Sequence, residues 1–116
     1  RLVTQVESAS GDVVETYEPE SLGSVMSAEN ASIIGTFMEE VVRTGTATVL
    51  QSDRYQAAAK TGSAQTSTGK ETDAWLVAYA PADDPQVVVS IVLEEGGAGS
   101  TAAGPIVKKI FDSLID

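Results

Sequence analysis

The tightest constraint on this chain is how little linker separates three strand-like stretches in its second half. YQAAAKTGSAQ (residues 55–65), DAWLVAYA (73–80) and QVVVSIVLEE (86–95) are joined by TSTGKET and PADDP alone. A parallel pair needs a crossover of about a dozen residues or more, usually a helix, and neither linker is long enough. The three stretches are therefore expected to form an antiparallel meander. The third is apolar almost throughout from Val87 to Leu93, a pattern that predicts cover on both faces.

The flanking sequence supplies the rest of an α/β chain of the α+β type. VTQVESASGDVVETY reads as two short strands about a Ser-Gly-Asp turn, an N-terminal hairpin. EPESLGSVM follows as a connector. Ser27 is placed to cap a helix with Glu29 in its first turn, and Gly45 is placed to stop it. Ile33, Ile34, Phe37, Met38, Val41 and Val42 recur at helical period and predict a core-packing face. TGTATVLQSDRYQ is polar and rich in Gly and Thr, and reads as a loop. After GGAGSTAAG, Pro105 suits the first position of a second helix, whose Ile106, Val107, Ile110, Phe111, Leu114 and Ile115 should lie across the sheet. Two apolar helix faces and a doubly covered strand ask for more partners than 116 residues supply. A three-stranded meander also leaves two open edges. The chain opens at Arg1 rather than a methionine, and it is expected to be part of a larger fold that can self-associate through those edges.

Composition removes several functions. Seventeen acidic against 7 basic residues give a net charge of −10, which argues against nucleic acid or anionic lipid as partner. The acid excess reads as a solvated surface. With no cysteine and no histidine there is no disulfide framework, no Cys-ligated zinc and no His-based nucleophile pairing; neither metal nor cofactor is expected. No stretch approaches the ~20 apolar residues of a membrane span, and the polar opening text is not a signal peptide.

Three motif-like stretches fail on context. GAGSTA (97–102) matches the dinucleotide fingerprint, but that fingerprint opens a parallel βαβ unit, whereas the strands here are antiparallel and Asp116 ends the chain inside the following helix. TSTGKET lacks the upstream spacing of a phosphate loop, and Glu71 follows Lys70 where Ser or Thr is needed. Ser67 and Lys70 spell S-x-x-K, a pairing that works on a helix face, whereas this one sits at a glycine-containing hairpin tip. The adjacent carboxylates Glu39-Glu40, Asp83-Asp84 and Glu94-Glu95 read as solvated ends of elements.

Lys60 stands apart. A lysine on a strand edge often only discourages edge-to-edge aggregation. Its neighbours suggest more. Alanines at 57–59 and 64 leave room, and Gly62 removes the side chain where a ligand backbone would lie. Thr61 and Ser63 offer hydroxyls, and the Ser63 N–H can meet an incoming carbonyl oxygen. Together they suit an extended peptide ending in a carboxylate, bound as an added strand, with the Lys60 ammonium attracting that carboxylate.

With this strand in view, the chain resembles the penicillin-binding proteins, in the C-terminal part of the transpeptidase domain of the class B type. The resemblance runs in order through VESASGDVVETY, EEVVRTGTA, AAAKTGSAQ, DAWLVAYAP and GPIVKKI, across essentially residues 1–116. K-T-G is the third of three signatures of these enzymes and of serine β-lactamases. The resemblance implies a partial β-lactamase/transpeptidase-like fold. It implies that Lys60 and Thr61 bind the terminal carboxylate of a D-Ala-D-Ala stem peptide, that Gly62 permits close approach, and that the Ser63 backbone N–H forms half of an oxyanion hole. It further implies peptidoglycan cross-linking by acyl transfer through a serine ester, trapping by β-lactams, and a site outside the cytoplasmic membrane anchored by a segment beyond this sequence. The helix-borne S-x-x-K and the S-x-N signatures are missing, so the chain alone is expected to be inactive. D,D-carboxypeptidase, β-lactam sensor and noncatalytic peptide-binding module remain as alternatives.

Overall fold

The computed structural model describes residues 3–21 and 23–115. Leu22, within the expected connector, and Asp116, taken as the end of the last helix, lie outside the described residues. Strands β1 (Gln5–Glu7) and β2 (Val13–Thr16) pair antiparallel as the hairpin predicted, with Gly11 at φ 88° in the turn. They form a two-stranded sheet of their own. The meander forms from β3 (Ala58–Ala64), β4 (Asp73–Ala80) and β5 (Val87–Leu93), antiparallel and in the order β3-β4-β5, as the short linkers require. Register aligns Ala59, Ala78 and Val89 across the three strands, and Thr61, Leu76 and Ile91 likewise.

Among the described residues, three α-helices accompany the sheets. Helix α1 (Ala28–Arg43) starts where Ser27 Oγ accepts the Asn30 N–H at 3.2 Å, and Glu29 lies in its first turn. Gly99–Ala102 forms a single helical turn, α2, leading into α3 (Gly104–Leu114) with Pro105 in the first turn. The core gathers Leu76, Ala59 and Ala78 from one sheet face with Val107, Phe111 and Ile115 near the chain's end. The alanine-rich face lets the crossing segment come very close. A Cβ built on Gly99 would lie 2.3 Å from the Trp75 carbonyl oxygen and 2.8 Å from that of Gly62, and one on Gly104 would lie 2.4 Å from a Val49 methyl.

Four sequence expectations need correction. Residues 44–56 are not merely a polar loop: Ala47 and Leu50 are fully buried and Tyr55 nearly so. A 3-10 turn at Thr48–Leu50 brings positions three apart onto one side, so Ala47 and Leu50 face inward together amid polar neighbours. Strand β5 is covered on one face only. Val87, Val89, Ile91 and Leu93 are half-buried, while Val88 is 70% exposed, because the covering elements of this chain lie on one side of the edge strand. The α1 stripe is largely bare as well. Val41 and Val42 join the core, but Ile33, Ile34 and Phe37 (67% exposed) do not, since only the last turns of α1 reach it. Likewise Ile106 and Leu114 of α3 stay exposed while Val107 and Phe111 are fully buried.

A polar clasp holds the terminal helix. The Asp112 carboxylate accepts from Tyr55 Oη at 2.8 Å, from Arg54 Nη2 at 3.0 Å and from Lys108 Nζ, and Arg54 also donates to the Ile115 carbonyl at 3.1 Å. Tyr55 meets Phe111 edge to face at 5.9 Å between centroids. Hydrogen bonds from Lys108 and then Tyr55, with Arg54 adding to them, pull the Asp112 carboxyl from its ordinary 3.8 down to about 2. A carboxyl whose pKa is lower folded than unfolded stabilises above its unfolded value and stops doing so as pH falls through the folded one. Thermal melts should therefore show the clasp's contribution intact above about pH 4 and lost toward pH 2, and Asp112→Asn should flatten that part of the melting-temperature profile while lowering stability at pH 7. Gly99→Ala should destabilise by roughly 1–3 kcal/mol or more in denaturant melts, because the added methyl meets backbone oxygens that no rotamer change can move.

Candidate functional site

The burial of β3 changes along its length at the point the sequence singled out. Ala58 and Ala59 are fully buried; from Lys60 onward the strand is exposed or half-buried. Helix α1 packs along β3, with Glu39 accepting from the Gln56 side-chain amide at 2.6 Å beside the strand's entry. K-T-G is thus the part of β3 that emerges from cover on an outer strand of the sheet.

Alternation of side chains divides the four predicted site residues between the two faces. Lys60 and Gly62 share a face with their β4 partners Val77 and Trp75, both exposed. Thr61 and Ser63 fall on the other face, opposite Leu76 and Ala74. Lys60 is exposed, and its ammonium donates to the Thr61 carbonyl oxygen. Among the described residues, Arg43, Arg54, Lys70 and Lys108 each pair with a carboxylate, whereas Lys60 on β3 and Lys109 on α3 have no ion pair. In a chain of net charge −10 this leaves an un-neutralised cation beside a strand edge. A Cβ built on Gly62 would press on the Trp75 Cβ at 3.3 Å, closer than ordinary contact, so the glycine lets its cross-strand partner pack tightly against β3. Ser63 is exposed.

The two surface hollows described lie elsewhere: one of about 660 Å³ between the end of α1 and residues 51–57, the other at the β3–β4 tip beside Lys70 and Glu95. This chain does not wall in the space over Gly62 by either of them. The Ser67–Lys70 pairing has no helix; those residues form the hairpin tip, with Gly69 at φ 84° and Lys70 bonded to Glu95. The GAGSTA glycines serve a short turn after an antiparallel strand, which excludes a dinucleotide-binding βαβ unit. Among the described residues no cluster of three or more potential metal ligands occurs, and no helix is long and apolar enough to cross a membrane.

One residue escaped the sequence reading. Thr46, assigned there to a polar loop, sits with its hydroxyl 2.7 Å from that of Thr61. Nothing local marks a contact across fifteen positions.

An exposed K-T-G strand on an antiparallel sheet, backed by a terminal helix, defines a recognisable class. Residues 1–112 match the penicillin binding protein transpeptidase domain, and the chain belongs to that family. The peptidoglycan D,D-transpeptidase MrdA of Haemophilus influenzae is 31% identical over 126 residues, covering 91% of this chain and 19% of that protein. The D,D-transpeptidase domain of a peptidoglycan glycosyltransferase from Eggerthella lenta superposes with a TM-score of 0.69 at 31% identity, covering 95% of this chain and 26% of that one. Penicillin-binding protein A of M. tuberculosis, solved as a ceftriaxone acyl-enzyme complex, superposes at 0.76 with 21% identity over 97% of this chain and 27% of that one, which shows a shared fold. The chain spans about a fifth of that curated relative and about a quarter of those solved chains.

Because Lys60 is exposed and holds no ion pair, Lys60→Gln should change folding stability by no more than about 0.5 kcal/mol in denaturant melts, the range of surface substitutions. A larger loss would make it a structural lysine.

Proposed function

We propose that this chain is the C-terminal, substrate-docking part of a peptidoglycan D,D-transpeptidase domain, whose nucleophilic serine and its lysine lie on a segment outside this sequence. The observation that carries the reading is the exposed Lys60 ammonium, free of any ion pair where β3 emerges from cover, in a chain of this family. In this reading a stem peptide ending in D-Ala-D-Ala lies along β3 as an added strand. Lys60 attracts the terminal carboxylate and supplies positive potential near the nucleophile, and the Thr61 hydroxyl binds the same carboxylate. Gly62 admits the peptide backbone. The Ser63 N–H donates to the oxyanion that forms when the serine adds to the penultimate carbonyl, a contribution of about 3 kcal/mol at well-studied sites. D-Ala leaves, and the acyl group passes to the amine of a neighbouring strand. A β-lactam carries an equivalent carboxylate and acylates the same serine.

The reaction takes place outside the cytoplasmic membrane, and an anchoring segment beyond this sequence holds the protein there. The exposed α1 face and the open edges of the three-stranded sheet fit a piece that relies on the remainder of the domain for cover, and that self-associates without it. A noncatalytic peptide-binding role predicts binding with no covalent adduct in any context.

The test is acylation kinetics with penicillin in the full-length protein. Lys60→Gln should slow the second-order rate about 10- to 100-fold, the range expected when one charge-assisted hydrogen bond is lost, and the 116-residue chain alone should take no covalent label. An unchanged rate in Lys60→Gln, or a penicillin adduct on a serine of the isolated chain, would remove the reading.

A further inference from the structure

Thr46 and Thr61 meet hydroxyl to hydroxyl at 2.7 Å, and either oxygen is able to donate in the free protein. Thr46 is firmly held. The Ala47 N–H closes the end of α1 on the Val41 carbonyl at 3.0 Å, and Ala47 itself is fully buried. Gly45 permits this tight exit, since a Cβ there would lie 2.9 Å from Val41 backbone atoms. The neighbouring hydroxyl, Thr44, turns back to Glu40 within the helix end, whereas Thr46 alone reaches forward to β3.

A hydroxyl carries one proton and two acceptor lone pairs, and an ionised carboxylate only accepts. When Thr61 bonds a carboxylate, its single proton is committed to that ligand. Its contact with Thr46 then survives in one sense only, with Thr46 donating and Thr61 accepting. Hydrogen bonds running head to tail in this way polarise one another and strengthen the last donor.

We propose that Thr46 is a positioning residue for ligand recognition: it donates into Thr61 Oγ1 and so leaves the Thr61 proton directed at the acidic terminus of the bound peptide or β-lactam. The inference rests on the docking role given to K-T-G above. It adds the loop after α1 to the recognition apparatus and makes the order Thr46 to Thr61 to carboxylate a single relay.

Acylation rates in the full-length protein test it, with benzylpenicillin as the acidic ligand and its methyl ester as the ligand without a carboxylate. Thr46→Val, which keeps the shape and removes the hydroxyl, should slow acylation by the acid about 3- to 10-fold, the range for one neutral hydrogen bond. It should leave the ester rate unchanged. Thr46→Ser should restore the acid rate to within about 2-fold. In a Thr61→Val background, Thr46→Val should cost nothing further, because coupled partners are not additive.

Equal slowing of acid and ester would make Thr46 a simple tether and overturn the relay, as would a full cost retained in the Thr61→Val background. If Thr61→Val slows the acid while Thr46→Val does not, docking stands and the relay falls. If Lys60→Gln leaves the acid rate unchanged, the docking role itself fails and takes the relay with it.

Discussion

The backbone of Gly99 rests against the carbonyl oxygens of Gly62 and Trp75, and the layering of the molecule depends on that approach. Only a residue without a side chain passes so near two peptide groups. The contact seats the segment after β5 on the sheet, so that α3 brings Val107 and Phe111 against Leu76 and the alanines of β3 and β4. Gly62 therefore takes part in two relations. Its carbonyl bears on the crossing segment, while its lack of a side chain lets the Trp75 Cβ pack within 3.3 Å of where a Cβ would stand. At Gly62, strand β3 is thus held through its backbone.

Charge is distributed in keeping with that division. Asp112 collects Arg54, Lys108 and the Tyr55 hydroxyl into one clasp, and Glu40 and Glu95 hold Arg43 and Lys70. Part of the acid excess thus satisfies cations within the helices, and Arg54–Asp112 and Lys70–Glu95 join separate segments. Lys60 is left outside these pairings. A cation that neither ties elements together nor sits under them contributes little to folding, and its potential remains available to a ligand.

Much of the fold was legible because the rules involved are short-range. Linker length dictated the antiparallel order of β3, β4 and β5, Ser27 marked the start of α1, and Pro105 marked the opening turn of α3. The failures share one cause. Periodicity shows which side chains would form a face, but not how far that face is covered, so Phe37 and Val88 were expected inside and are exposed. Averaged polarity likewise hid Ala47 and Leu50, whose burial depends on a 3-10 turn and on α3 arriving from sixty residues away.

The same split runs through the site. Residue types and their order alone determined that β3 would carry Lys60 and Gly62 on one face and Thr61 and Ser63 on the other, because alternation along a strand is a property of the local chain. Tertiary structure decided that Lys60 would keep its charge unpaired, that Gly99 would fill the backbone contact at Gly62, and that Thr46 would face Thr61. Those outcomes join segments remote in sequence, and such contacts follow from how whole elements pack rather than from any residue's neighbours.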